Sequence, residues 1–138
     1  MENSSPRNIR TVVVGGGTMG ADVAVVLSRG GAQVTVVDPH AAQRERLIPH
    51  VAAQLHAANQ AAHAGPVVAC ATVQDVDWSD VKLVVECITE QLEPKQRLFA
   101  QLESHAPADA VVASNSSGFP ISAIAQGLPT ARRMLGLH

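Results

Sequence analysis

The stretch IRTVVVGGGTMGADVAVVLSRGGAQVTVVD, residues 9–38, decides the fold. It opens on an apolar, β-branched run, Ile9–Val14, that predicts a strand. Gly15, Gly17 and Gly20 follow at once, and Met19, Val23, Val26 and Leu27 then recur at helical spacing until Gly30 and Gly31 stop the helix. A second strand, Gln33–Val37, ends at Asp38. Strand, glycine turn, helix and strand in this order make a βαβ unit with a parallel pair.

The same alternation continues to the end of the chain. Pro39–Ala64 is Ala-rich and helical in period, with Val51, Leu55 and Ala58 on one face; Pro49 predicts a break, since proline is tolerated in a first turn but not inside a helix. Val67–Ala71 reads as a third strand, followed by a polar loop through Asp80. Val81–Ile88 is almost continuously apolar, as expected of a strand covered on both faces. A third helix is predicted from Pro94, burying Leu98, Phe99 and Leu102, then a strand at Ala110–Ala113, a short helix at Ile121–Gln126 and a last strand beginning at Met134–Leu137. This order predicts an α/β fold: a single Rossmann-type domain, residues 9–138, with a doubly wound parallel sheet, preceded by a flexible tail, residues 1–8.

Composition narrows the function classes. The net charge is −2, with the basic residues scattered, so neither a nucleic-acid footprint nor a polybasic membrane patch is visible and a small-molecule partner is expected. No apolar run reaches the ~20 residues of a membrane span, and the polar start lacks a signal-peptide core; a cytoplasmic protein is expected. Cys70 and Cys87 fall in predicted strands and read as small buried hydrophobes, with no metal site implied.

The loops that follow the strands carry the chemistry. Ligands of open α/β sheets bind beyond the carboxyl ends of the strands, where the strand order reverses. Gly15–Gly20, Asp38, Glu90 and Ser114–Gly118 all directly follow strands and should line one crevice. In the glycine turn, which includes Thr18 and Met19, Gly15 permits the tight bend, Gly17 lets the backbone touch a pyrophosphate and Gly20 lets helix and strand approach, while the free helix N–H groups attract the anion. An acid eighteen positions after Gly20, Asp38, would accept both hydroxyls of an adenosine ribose and repel a 2′-phosphate, which predicts NAD rather than NADP. Arg44 and Arg46 read as a solvated helix face.

The run VVVGGGTMGADVAVVLSRGGAQVTVVD, residues 12–38, resembles the opening of 3-hydroxyacyl-CoA dehydrogenases. Three later segments are similar in the same order and spacing: VVECITEQLEPKQRLFAQL at 84–102, SNSSG at 114–118 and GLH at 136–138. The resemblance implies an oxidoreductase of fatty acid metabolism that passes a hydride from an L-3-hydroxyacyl-CoA thioester to NAD, in an intact enzyme that is a homodimer. By position it places Glu90 and Lys95 beside the nicotinamide ribose and Asn115 along the cofactor crevice. It makes Ser117 the residue that binds the substrate hydroxyl and His138 the catalytic base. A histidine titrates near working pH and can take that proton reversibly.

Two departures bear on substrate and activity. Between Asp38 and Val81 the family carries a longer helical hairpin with basic residues for the coenzyme A tail; here the stretch is short and Ala-rich. Sugar-acid (gulonate-type) and carnitine dehydrogenases, which share the architecture and the short segment, are therefore an alternative. The chain also stops at His138, before the acidic partner of that histidine and the helical carboxyl-terminal domain. The expectation is a fragment that binds NAD but turns over slowly or not at all, with a non-catalytic NAD-binding module as the third reading.

Overall fold

The computed structural model describes residues 8–137. Six parallel strands, β1 (Arg10–Val14), β2 (Gln33–Val37), β3 (Val67–Cys70), β4 (Val81–Glu86), β5 (Val111–Ser114) and β6 (Met134–Gly136), form one sheet in the order β3-β2-β1-β4-β5-β6. The order reverses between β1 and β4, as a doubly wound sheet requires. Helices α1 (Thr18–Arg29), α2 (Ala41–Ala57), α3 (Leu92–His105) and α4 (Ile121–Ile124) supply the crossovers, with single 3-10 turns elsewhere.

Alternation along the strands sorts side chains into two cores. Val12 and Val14 of β1 face Leu98, Phe99 and Leu102 of α3, whereas Val13 joins Val34, Val36, Leu47, Val51 and Leu55 against α1 and α2. The tripled valine of β1 is thus covered on both faces, and Val12 and Val13 are fully buried. The predicted burial of Leu98, Phe99 and Leu102 holds.

The structure revises several local expectations. Helix α2 runs through Pro49 without a break. Pro49 and Glu45, whose carbonyl loses its partner, both lie on the exposed face, where that oxygen is open to solvent, while Leu47, Val51 and Leu55 hold the helix to the sheet. Ala58 is exposed at the helix end. The inward stripe of α1 is Gly20, Ala21, Ala24 and Ser28, with Met19 and Val26 more than half exposed, because small side chains let the helix lie close to the sheet. Helix α3 begins at Leu92; Pro94 sits in its first turn, where the missing N–H has no intrahelical acceptor to lose. Cys70 and Cys87 are half-buried free thiols rather than core residues, and Cys87 lies just past β4.

Candidate functional site

All the loops singled out in the sequence emerge at the carboxyl edge of the sheet. β1 ends in the tight turn at Gly15, which has φ +106°, a value that favours glycine; a Cβ there would lie 2.5 Å from the Cys87 carbonyl oxygen. Gly20 is held by contact instead, its missing Cβ falling 1.6 Å from the carbonyl oxygen of Gly15. Gly17 has neither constraint. Its φ is −72°, open to any residue, and a Cβ would meet nothing within 4 Å. The first turn of α1, where Thr18 and Met19 sit exposed, has neither a side-chain cap nor an acidic residue. Open space thus faces uncapped amides and the positive end of a twelve-residue helix, a cradle for an anion.

Asp38 closes the adjoining side, and it faces the glycine turn. Its Oδ2 accepts the Gly16 amide at 2.8 Å, and its Oδ1 accepts the His40 amide at 2.8 Å and lies 3.0 Å from the His40 ring nitrogen Nδ1. Burial alone would raise the Asp38 carboxyl, but the two amides and the His40 ring outweigh it and hold it below the ordinary range. A carboxylate offers about four acceptor positions, and these three donors leave about one for a sugar hydroxyl. Arg44 is no solvated residue: its guanidinium donates to the Asp38 carbonyl at 2.9 Å. Arg46 bonds to Gln43 and the Ala42 carbonyl, and lines a cavity of about 310 Å3 with Gly16, Gly17 and Thr18. A second cavity, about 340 Å3, runs from Gly15 and Asp38 past His40 to Cys87 and Ile88. Burial raises the Cys87 thiol to about 12, which leaves it unreactive.

The third cavity, about 490 Å3, lies across the switch point and is bounded by Met19, Cys87, Ile88, Glu90, Lys95, Asn115, Ser117 and Leu137. Glu90 clamps the loop after β5: it accepts the Ser116 hydroxyl at 2.5 Å and the amides of Ser117 and Gly118 at 3.1 and 3.4 Å. The Ser116 hydroxyl, the Ser117 amide and the Lys95 charge hold the Glu90 carboxyl below its usual range against desolvation. Ser117 and Asn115 face the cavity, and Asn115 is pinned by its amide to the Glu86 carbonyl at 2.9 Å. His138 lies outside the described residues; Leu137, just before it, borders the cavity and donates its amide to Ser114 at 2.8 Å.

Lys95 reaches this cavity from α3 but is only 1% exposed, its ammonium 2.6 Å from Glu86 and 3.5 Å from Glu90. Glu86 and His40 are the partners that sequence reading missed. For Glu86 a signal existed, since an acid directly after the apolar run Leu83–Val85 demands a buried partner. No group of three metal-ligating side chains occurs among the described residues, and no described helix is long and apolar enough to cross a membrane.

Comparison with known proteins identifies the family and matches the fold. Residues 10–138 match the family model described as 3-hydroxyacyl-CoA dehydrogenase, NAD binding domain. A 3-hydroxybutyryl-CoA dehydrogenase of Mycobacterium tuberculosis is 34% identical over 144 residues, covering 94% of this chain and 48% of that protein. The crystal structure of M. tuberculosis FadB2 superposes with a TM-score of 0.80 at 32% identity, over 96% of this chain and 49% of that one. That of 5-formyl-3-hydroxy-2-methylpyridine 4-carboxylic acid 5-dehydrogenase, an NAD+-dependent dismutase, superposes with a TM-score of 0.83 at 28% identity, over 95% and 44%. The chain spans about half the length of these relatives.

Proposed function

The chain belongs to the family of 3-hydroxyacyl-CoA dehydrogenase NAD-binding domains, and from that premise we propose that it is the cofactor half of an enzyme oxidising an L-3-hydroxyacyl-CoA to the 3-ketoacyl thioester. The observation that carries the reading is the Asp38 carboxylate bonded to the Gly16 amide at 2.8 Å beside the empty space in front of Gly17. The residues present fit a dinucleotide: Gly15–Gly20 would hold the pyrophosphate, Asp38 the adenosine ribose, and Glu90 and Asn115 the nicotinamide end, with Lys95 buried behind them on Glu86 and Glu90 rather than free to reach the ligand as the sequence led one to expect. When bound, NAD supplies the acceptor for a hydride leaving the substrate carbon.

The remaining chemistry belongs to the protein. Ser117 is exposed on a loop whose backbone Glu90 fixes, so its hydroxyl would orient the substrate alcohol. His138 would take the alcohol proton as the carbonyl forms, leaving atoms and charge balanced between hydride acceptor and base. Titration with NAD+ should release heat with one site per chain, NADP+ should bind at least about tenfold more weakly because its 2′-phosphate meets Asp38, and 3-hydroxybutyryl-CoA should support NADH formation by a full-length protein that carries this domain. No heat with NAD+ overturns the reading.

One observation favours a second substrate class. Helix α2 passes to β3 with only one 3-10 turn between them, Ala61–His63, so no second long helix stands ready for a coenzyme A tail. Faster NADH formation with gulonate or carnitine than with the thioester would establish a small hydroxy acid as the substrate.

A further inference from the structure

We propose that Glu86 is a positioning residue that sets the Ser114–Gly118 loop and, through Lys95, the Glu90 clamp. The proposal rests on the reading of the third cavity as the reacting end of the crevice. Glu86 ends the central strand β4 and is completely buried. Its Oε1 accepts the Ser114 hydroxyl at 2.5 Å at the end of β5, and its Oε2 accepts the Ile88 amide at 2.8 Å and the Lys95 ammonium at 2.6 Å. Every donor is the anchor of a different element: β5, the loop after β4, and α3.

The links run outward from there. Lys95 also donates to the Ile88 carbonyl at 3.2 Å and stands 3.5 Å from the Glu90 carboxylate, which in turn holds Ser116, Ser117 and Gly118. Ser114 continues the second branch, its hydroxyl accepting the Ser116 amide at 3.2 Å. Two chains of contacts therefore leave one buried carboxylate and meet on the same loop. A buried ion pair is a poor source of stability, because desolvating both charges offsets their attraction. Its structural effect is to give three backbone segments one shared reference, and the loop they set carries Ser117 and Asn115 on the cavity wall.

The test separates positioning from bulk stability. In E86L/K95M both charges leave together, so no unpaired charge is buried, and the melting temperature should fall only by what the orphaned Ser114 hydroxyl and Ile88 amide cost, several degrees, with the variant still folded. The loop nevertheless loses its reference. The amide resonances of Ser116, Ser117 and Gly118 should shift and broaden, and NAD+ affinity by calorimetry should fall about tenfold or more. S114A cuts one branch without touching the ion pair and should move the same resonances with a smaller loss of affinity. If E86L/K95M does not fold, S114A decides alone. Parental loop resonances and parental affinity in the folded variants overturn the proposal. Absence of NAD+ binding by the parent protein would instead overturn the functional reading, with the loop resonances still deciding the role of Glu86.

Discussion

A methyl group on Gly20 would sit 1.6 Å from the Gly15 carbonyl oxygen, whereas one on Gly17 would touch nothing. The two glycines therefore answer to different constraints, one inside the protein and one outside it. Gly20→Ala should lower stability by about 1–3 kcal/mol, since two backbones must separate. Gly17→Ala should leave stability within about 1 kcal/mol of the parent yet weaken NAD+ binding about tenfold or more by filling the anion's space; denaturant unfolding and calorimetry read the two effects. Asp38 allows a pH test. Its folded carboxyl lies below the ordinary range, so its contribution is present above the unfolded value of about 3.9 and is lost as pH falls through the lower folded value. The melting-temperature gap between the parent and Asp38→Asn should be full at neutral pH and close progressively below about pH 4. A gap that widened in acid would contradict the hydrogen bonds from Gly16 and His40.

Pro49 belongs to the scale of the element. Inside α2 it removes one backbone bond, but its exposed position lets water replace that bond, and Leu47, Val51 and Leu55 keep the helix in place. An interior proline costs roughly 3 kcal/mol against alanine. With solvent compensating part of this, Pro49→Ala should stabilise by about 1–2 kcal/mol and raise the melting temperature by several degrees. A kink that the fold required would show as no gain. Element identities were legible because strand and helix periods are local; element edges were not. Helix α1 shows why: of the residues at helical spacing Val23 and Leu27 pack against the core while Met19 and Val26 are exposed, and the most buried stripe is Gly20, Ala21, Ala24 and Ser28, because close approach selects for small residues.

For the whole molecule, the order β3-β2-β1-β4-β5-β6 gathers every functional loop at one edge. A ligand lying across that edge touches loops following β1, β2, β4 and β5, so binding should stiffen the domain as a unit. NAD+ at about one hundred times its dissociation constant should add about 2.7 kcal/mol to stability, seen as a rise of several degrees in the melting temperature. NADP+ at the same concentration should give a much smaller rise, and equal rises would contradict the role given to Asp38.

By itself the sequence determined the alternation of strands and helices and the glycine turn with its trailing acid, since each depends on spacing within a few tens of residues. Tertiary structure alone decided which groups hold that acid, where Arg44 points, and that Lys95 is spent on Glu86 and Glu90 before any ligand arrives. The physical reason is distance along the chain: Glu86 meets partners nine and twenty-eight positions away. A buried carboxylate finds its donors only where the packed strands bring them.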